Sequence, residues 1–261
     1  MVDIHVQIER AVELLRRASY AVALTGAGLS TPSGIPDFRS SGSGLWVGVD
    51  PFEVASLLAF RYHPERFYAW IRPLGELIHR AQPNPAHRAL ADLEQAGRLK
   101  MVITQNIDEL HTRAGSRCVV ELHGSLREAT CGQCHRCWPG EPILAKFVSD
   151  GAVPHCADCG GVLKPNVILL GEELSAAALR EARAAARQCD VMLVAGSSLE
   201  VMPAGALPFE AVTYGARLII VNREPTYLDA RAEVLIPADV AEALPLMAAT
   251  AREAAAGGER G

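Results

Sequence analysis

Short apolar runs alternate with helical patterns along most of this chain, and the alternation limits its fold more than any other feature. Each run is too short for a helix and is typical of a strand buried on both faces of a parallel sheet. The runs lie at 20–24, 101–103, 119–120, 191–194 and 218–221, with a weaker one at 234–236. Helical patterns lie at 3–18, 84–96, 173–188 and 240–255. The alternation predicts an α/β fold with a Rossmann-like, doubly wound and mostly parallel sheet.

Two segments interrupt the alternation. Residues 41–80 begin with a Gly/Ser stretch, are rich in aromatic residues and contain no sheet-like run, whereas residues 127–160 hold five of the seven cysteines. We predict that they form a small lobe, with a helical module at 41–80 and a zinc-binding module at 127–160. The large Rossmann-like domain is then discontinuous and consists of 1–40, 81–126 and 161–261.

Composition disfavours several classes of protein. The chain has 261 residues, of which 49% are hydrophobic and 21% charged, so intrinsic disorder is disfavoured. A net charge of −5 gives no basic surface for nucleic acid, and no run of 18 apolar residues is present to span a membrane. The first residues lack a basic segment followed by an apolar run, so we expect no secretory signal and a cytoplasmic location.

The cysteine spacing indicates a metal site. Cys131 and Cys134 form one Cys-x-x-Cys pair, and Cys156 and Cys159 form a second, with 21 residues between the pairs. Four thiolates are enough to close a tetrahedral zinc site, which has no open position and is therefore structural. Redox-active or buried cysteines are the alternative interpretation. Three other candidate ligands lie close by: Cys137, His135 and His155.

A tight glycine turn, Gly26-Ala27-Gly28, follows the first predicted strand. Such a turn lets backbone N–H groups approach a pyrophosphate, although a plain turn is the alternative. The turn departs from the dehydrogenase fingerprint because Thr31 takes the place of the third glycine. Hydride transfer is therefore the least favoured reaction.

Three polar residues stand at or just after the ends of predicted strands: Asn106, Asp108 and His123. In an open α/β sheet, ligands bind outside the carboxyl ends of the strands. These residues therefore predict a catalytic crevice at that edge. A single histidine is more often structural, but the place of His123 and the near-neutral pKa of the imidazole make it the candidate general base.

Five separated strings carry a resemblance to a known family. They lie at 25–39 (TGAGLSTPSGIPDFR), 104–108 (TQNID), 122–124 (LHG), 196–199 (GSSL) and 221–222 (VN), with the cysteine pairs between the third and the fourth. In this order they resemble the sirtuins, the NAD-dependent protein lysine deacylases, and look closest to the short bacterial members. The resemblance covers about residues 5–250.

The resemblance implies that NAD lies across the edge of the sheet as a co-substrate, and that one zinc ion is structural. The pyrophosphate would lie over Gly26, Ala27 and Gly28, under a loop that contains Thr31, Phe38 and Arg39. The nicotinamide pocket would be lined by Asn106, Ile107 and Asp108, with Gln105 on a ribose hydroxyl. The adenosine half would contact Gly196, Ser197, Ser198, Asn222, Asp239 and Val240.

Catalysis, by the same resemblance, depends on His123, Asn106 and Asp108. After the nicotinamide–ribose bond breaks, the acyl oxygen of an acyl-lysine attacks the ribose carbon C1′. His123 then acts as a general base on a ribose hydroxyl, which attacks the acyl carbon. The products are nicotinamide, free lysine and O-acyl-ADP-ribose.

The acyl-lysine substrate, by the same resemblance, binds between the two lobes. Its expected contacts are Ile168, Leu170, Gly171, Glu172, Glu200 and Val201. Leu170 stands where the family often has phenylalanine, so acetyl is the expected acyl group and longer apolar groups remain open. Sirtuins that remove succinyl or malonyl groups have a tyrosine and an arginine three residues apart in this helical segment. Here Tyr68 and Arg72 are four residues apart, and Ile71 and Leu74 occupy the positions of that pair, so acidic acyl groups are disfavoured.

Two other functions use the same residues. An ADP-ribosyltransferase would direct a different nucleophile to the ribose carbon, whereas a non-catalytic NAD-sensing zinc scaffold would only bind. The presence of Asn106, Asp108 and His123 disfavours the scaffold. We expect acyl-lysine proteins or peptides as partners, no nucleic acid, no membrane, and a monomeric protein.

Overall fold

The computed structural model describes residues 3–37 and 48–258. Its helices are α1 (Ile4–Arg17), α2 (Pro51–Val54), α3 (Leu57–Tyr62), α4 (Pro64–Arg80), α5 (Pro85–Gln95), α6 (Leu110–Ala114), α7 (Gly140–Asp150), α8 (Ala176–Gln188), α9 (Leu207–Thr213) and α10 (Val240–Gly258). Its strands are β1 (Ala21–Thr25), β2 (Met101–Thr104), β3 (Val119–Glu121), β4 (Gly124–Cys131), β5 (Cys137–Pro139), β6 (Leu163–Val167), β7 (Val191–Ala195), β8 (Arg217–Val221) and β9 (Val234–Ile236). Phe38 and Arg39, which we expect at the nucleotide, lie outside the described residues.

The apolar runs found in the sequence are the strands of one six-stranded sheet. Its order is β3-β2-β1-β7-β8-β9, and each neighbouring pair is parallel. The weak run at 234–236 is β9, the edge strand beside β8. The predicted α/β fold with a doubly wound parallel sheet is therefore confirmed.

The two faces of β1 explain why its apolar run does not alternate with polar residues. Ala21 and Ala23 pack into the core formed with α1, α5 and α10, whereas Val22 and Leu24 pack into the core formed with α8 and α9. A strand covered by helices on both faces needs apolar residues at every position. Within 3–37 and 48–258, we find no helix that is both long enough and apolar enough to cross a membrane.

A second, antiparallel sheet carries the cysteine pairs. Its order is β5-β4-β6, and it reaches from Gly124 to Val167. β4 crosses the predicted module boundary at 127, and β6 lies beyond the boundary at 160. The sheet is thus longer at both ends than the predicted zinc-binding module.

The helical module packs against this second sheet through aromatic residues. Tyr68 on α4 meets Phe147 on α7 with ring centroids 5.0 Å apart, and its hydroxyl donates a hydrogen bond to the Leu163 carbonyl. Phe60 and Phe67 extend the same cluster. These contacts join α2–α4 and the small sheet into one lobe. Because β4 begins three residues after β3 ends, this lobe starts at the carboxyl end of β3.

Candidate active site

A cleft of about 900 Å³ runs along the carboxyl ends of the parallel strands. It spans the point where the strand order reverses, between β1 and β7, which is where open α/β sheets bind their ligands. The sequence-predicted residues that line it are Gly26, Ala27, Gly28, Thr31, Gln105, Asn106, His123, Gly196, Ser197, Ser198, Glu200, Val201, Asn222, Asp239 and Val240. Arg223 and Glu224, which the sequence patterns do not indicate, also line it.

The floor of the cleft is bare backbone where the loops after β1 and β7 meet. The Gly28 N–H donates to the Gly196 carbonyl over 2.9 Å. A Cβ on Gly28 would lie 2.9 Å from that carbonyl oxygen, and a Cβ on Gly196 would lie 2.4 Å from the Leu29 nitrogen. Gly196 also has a φ of +60°, which side chains disfavour. Only glycine lets the loops pack this closely, and the resulting floor is one that a pyrophosphate can approach.

His123 follows β3 and is held by backbone on two sides. Its Nδ1 lies 2.8 Å from the Gln105 carbonyl oxygen, and its own carbonyl accepts a hydrogen bond from the Ile168 N–H over 2.8 Å. A carbonyl oxygen can only accept, so Nδ1 carries the proton and Nε2 carries a lone pair. Burial lowers the pKa of His123 below its usual value, and the Gln105 carbonyl opposes part of that shift. The site therefore holds a neutral imidazole at pH 7 with a basic nitrogen.

Ser30 connects Asn106 and Asp108 beneath the cleft. The Asn106 Nδ2 donates to the Gly26 carbonyl and to Ser30 Oγ, each over 3.0 Å. Ser30 Oγ in turn donates to Asp108 Oδ2 over 2.6 Å, and the Leu110 N–H donates to Asp108 Oδ1 over 2.9 Å. Burial raises the pKa of Asp108, although these two hydrogen bonds oppose the rise. The side chain of Asp108 is thus buried behind Ser30 and is not among the described residues that line the cleft.

Two further buried histidines lie below this network. His111 Nε2 is 2.9 Å from Thr25 Oγ1, while its Nδ1 has no hydrogen-bond partner among the described residues. Thr25 Oγ1 donates to Thr104 Oγ1 over 2.9 Å, and the His87 and His111 rings lie 5.0 Å apart. Burial lowers the pKa of His87 to about 4 and lowers the pKa of His111 well below its usual value. Both rings are therefore neutral at pH 7.

Ile107 lies against an apolar cavity of about 50 Å³ in the small lobe rather than against the cleft. The cavity lies between α4, α7 and the small sheet, and its lining includes Phe67, Ile71, Ile107, Phe147 and Val167. Ile107 follows Asn106 in the chain, and Val167 precedes Ile168. At Ile107 the cavity is therefore one residue along the backbone from Asn106, which lines the cleft, and at Val167 it is one residue from Ile168, whose N–H binds the His123 carbonyl.

The predicted peptide-binding stretch 168–172 is held by contacts within the protein. The Leu170 N–H donates to the Ala55 carbonyl and the Leu170 carbonyl accepts from the Leu57 N–H, each over 2.9 Å. The Glu172 carboxylate pairs with Lys164 Nζ at 3.0 Å and accepts from the Leu169 N–H over 2.7 Å. Leu170 keeps 37% of its surface exposed. The contacts of this stretch with a substrate stay a prediction.

Tyr68 and Arg72 both make hydrogen bonds to backbone carbonyls of the small lobe. Tyr68 is buried with its hydroxyl on the Leu163 carbonyl, and burial raises its pKa. Arg72 Nη2 donates to the Val148 carbonyl over 3.0 Å. The prediction that acidic acyl groups are disfavoured stays a prediction.

The four cysteines predicted from their spacing are brought together in the small lobe. The Sγ atoms of Cys131, Cys134, Cys156 and Cys159 all lie within 4.8 Å of one another. The Cys131–Cys159 and Cys134–Cys156 Sγ distances are 3.4 and 3.7 Å, close to the separation of about 3.8 Å that tetrahedral Zn–S bonds of about 2.3 Å require. Cys137 is not in this group and lies with its Sγ 3.2 Å from Thr130 Oγ1. The donor set thus fits one structural zinc ion.

Comparison with known proteins agrees with this geometry. The model of the Sir2 family matches residues 26–203. The chain is 45% identical to NAD-dependent protein deacylase 2 of Archaeoglobus fulgidus over 240 residues, which are 92% of this chain and 94% of that protein. A solved structure from work on the mechanism and regulation of Sir2 enzymes superposes with a TM-score of 0.89 at 43% identity, covering 96% of this chain and 99% of that one. A Sir2 variant with a deacetylated p53 peptide and 3′-O-acetyl-ADP-ribose superposes with a TM-score of 0.86 at 40% identity, covering 95% and 98%.

Proposed function

This chain belongs to the Sir2 family, and on that basis we propose that it is an NAD-dependent protein lysine deacylase. Its substrates are NAD, an acyl-lysine protein or peptide, and one molecule of water. Its products are nicotinamide, free lysine and O-acyl-ADP-ribose. The name of the archaeal relative and the product complex of a solved relative support this reaction.

The single observation that carries the proposal is the fixed tautomer of His123. Its Nδ1–H is bound to the Gln105 carbonyl at 2.8 Å, which leaves Nε2 as the proton acceptor in a residue that lines the cleft. Removing a proton from a ribose hydroxyl is a general-base step that needs such a nitrogen within hydrogen-bond reach. Because burial lowers the pKa of His123, the imidazole is already in its basic form at pH 7.

The other residues of the cleft hold and orient the dinucleotide. NAD supplies, when bound, the electrophilic ribose carbon and the ADP-ribose that accepts the acyl group. The backbone floor at Gly28 and Gly196 receives the pyrophosphate. Asn106 donates both hydrogens of its amide to Gly26 O and Ser30, so a ligand meets its Oδ1 acceptor. We assign Asp108 a positioning role, since its carboxylate holds Ser30 and through it Asn106.

The test of this function is mass spectrometry of an acetyl-lysine peptide incubated with and without NAD. We expect the peptide to lose its acetyl group only with NAD, and we expect His123→Ala to lose at least about 100-fold in rate, since general-base catalysis contributes about 10²–10⁴-fold. His79→Ala is the matched control, because His79 is exposed on α4. Deacetylation without NAD, or equal rates for His123→Ala and the control, would contradict the proposal.

We propose acetyl as the preferred acyl group and longer apolar groups as further substrates. The apolar cavity of about 50 Å³ next to Ile107 and Val167 has room for a short extension of the acetyl group, such as that of a propionyl or butyryl group. Ile71→Phe narrows this cavity, so we expect it to lower kcat/KM for a butyryl peptide about tenfold more than for an acetyl peptide. An equal effect on both peptides would argue against the longer substrates.

We also propose that the protein works as a monomer in the cytoplasm. None of the seven cysteines is in a disulfide, which suits a reducing compartment, and four of them are grouped for the zinc site. Light scattering after size-exclusion chromatography is expected to give the mass of a single chain, 27.9 kDa. Twice that mass would contradict the monomer, and fractionation of the source cells would test the location.

A further inference from the structure

An ion pair between Arg223 and Asp239 stands at the end of the cleft that is farthest along the sheet from His123. His123 follows β3, the glycine floor follows β1 and β7, and these two residues follow β8 and β9. With the reactive ribose of NAD near His123 and the pyrophosphate over the backbone floor at Gly28 and Gly196, the adenosine lies at the ends of β8 and β9. The inference below rests on the proposed function for this orientation.

The charges at this end of the cleft are of both signs. Dinucleotide-binding sheets that prefer NAD commonly hold the adenosine ribose 2′-hydroxyl with an acidic residue, whereas an arginine accommodates the 2′-phosphate of NADP. Here the residue directly after β8 is Asn222, which is neutral and donates its Nδ2 to the Glu224 carbonyl over 2.7 Å. The ionised groups beside it are Arg223, Glu224 and Asp239. Preference for one dinucleotide must therefore depend on how Arg223 and Asp239 are arranged.

Asp239 is fixed and Arg223 depends on it. One carboxylate oxygen of Asp239 accepts from the Ala241 N–H over 2.6 Å at the first turn of α10, and the other pairs with the Arg223 guanidinium. The Asp239 side chain is only 17% exposed, whereas the Arg223 side chain is 69% exposed. The carboxylate is thus anchored in the wall of the cleft and holds the exposed guanidinium of Arg223.

We propose that Asp239 makes the cleft selective for dinucleotides whose adenosine ribose carries a free 2′-hydroxyl. Its carboxylate repels a 2′-phosphate and occupies the guanidinium that would otherwise bind that phosphate. Arg223, Glu224 and Asp239 together carry one net negative charge, and neutralising Asp239 brings the sum to zero and releases an arginine fork suited to phosphate. Asp239 therefore takes the role that an acidic residue at the strand end has in NAD-specific dehydrogenases.

The test is calorimetric titration of the full chain with ADP-ribose and with 2′-phospho-ADP-ribose, which needs no turnover. We expect the unmodified protein to bind ADP-ribose at least about 100-fold more tightly than 2′-phospho-ADP-ribose, because the Asp239 carboxylate repels the 2′-phosphate. Asp239→Asn keeps a good helix cap at Asp239's position while removing the charge. We expect this variant to lower the ratio of the two dissociation constants, that of 2′-phospho-ADP-ribose over that of ADP-ribose, at least about tenfold. The change comes mainly from tighter binding of the phosphorylated ligand.

Two more variants separate the contribution of the Arg223 guanidinium from the effect of net charge. Arg223→Ala added to Asp239→Asn is expected to remove most of the gain in 2′-phospho-ADP-ribose binding, because the released guanidinium is then absent. Asp92→Asn is the control: it breaks the exposed Asp92–Arg252 pair, 3.1 Å in length, outside the cleft and makes the same change in net charge. We expect it to leave the ratio unchanged.

The inference would be overturned if the unmodified protein bound the two ligands equally. It would also be overturned if the ratio of the two dissociation constants were the same for Asp239→Asn as for Asp92→Asn. Failure to bind ADP-ribose at all would overturn both the NAD assignment and the inference. Normal binding and discrimination in a protein that does not deacylate peptides would support the inference while contradicting the proposed reaction.

Discussion

Two backbone contacts hold His123: its Nδ1–H is bound by the Gln105 carbonyl, and its own carbonyl is bound by the Ile168 N–H. The residue after it, Gly124, has a φ of +76°, and a Cβ there would lie 2.0 Å from the Asn166 carbonyl oxygen. The chain therefore turns sharply between His123 and β4. An imidazole that is oriented by main chain on both sides does not depend on a second side chain for its tautomer.

The lowered pKa of His123 makes a prediction about activity at acid pH. Only the neutral imidazole accepts a proton, so kcat/KM falls as pH falls through the pKa of His123. Because burial places this pKa below 6.5, we expect the half-maximal rate below pH 6.5 and a level rate from pH 7 to 8. Steady-state rates on an acetyl peptide between pH 5 and 8 give the profile. A midpoint above pH 7 would show that this histidine is not the base in the form described here.

Site residues that follow the ends of strands could be predicted from the sequence. Residues that are buried beneath the cleft and support those residues could not. Asn106 and His123 each stand two residues after the end of a strand, and both line the cleft. Ser30 lies inside the string 25–39, but nothing in its neighbourhood marks it as the link between Asn106 and Asp108. The burial of His87 depends on distant helices packing over it, so a sequence pattern could not reveal it.

At the scale of elements, the parallel strands could be predicted and the antiparallel ones could not. β1, β7 and β8 are apolar at nearly every position because helices cover both faces. β6 reads Leu-Lys-Pro-Asn-Val, with a proline and two polar residues, and has no apolar run at all. It is a strand because the zinc-binding segment brings it against β4.

The zinc site is expected to hold the small sheet together. Cys156→Ser removes a buried ligand, so we expect loss of zinc and a lower Tm, by several degrees at least, since 1 kcal/mol corresponds to about 2–4 °C for a domain of about this size. Cys137→Ser is the control, because Cys137 is exposed and outside the group of four. Metal analysis and thermal melts give the answer. Loss of zinc from the Cys137 variant, or its retention by the Cys156 variant, would contradict the ligand set.

At the scale of the whole molecule, the large domain encloses two neutral buried histidines beside its parallel sheet. His87 and His111 lie between α5, α6 and the carboxyl ends of the central strands, and both are kept uncharged by burial. The unfolded chain exposes them to water, where a histidine has a pKa of about 6.5. The folded state therefore becomes less favourable as pH falls below 6.5.

This linkage predicts acid lability that is traceable to His87. The unfolded state binds the proton first, so the free energy of unfolding falls as pH drops from 6.5 to about 4, by about 3 kcal/mol for a shift of this size. His87→Gln keeps an acceptor for the Asn84 N–H, which His87 Nδ1 now binds at 3.4 Å, and removes the titration. We expect urea denaturation to show a shallower pH dependence for this variant than for His79→Gln. Equal slopes would rule out His87 as the source.

The most direct test of the central claim follows a ¹³C-labelled acetyl group from a peptide lysine in the presence of NAD. The claim is that the cleft transfers the acyl group to ADP-ribose in the step that His123 assists. We expect the label on ADP-ribose, with one nicotinamide released for each lysine freed, and no transfer by His123→Ala. Label released as free acetate without nicotinamide, or ADP-ribose attached to the peptide with its acetyl group intact, would contradict the claim.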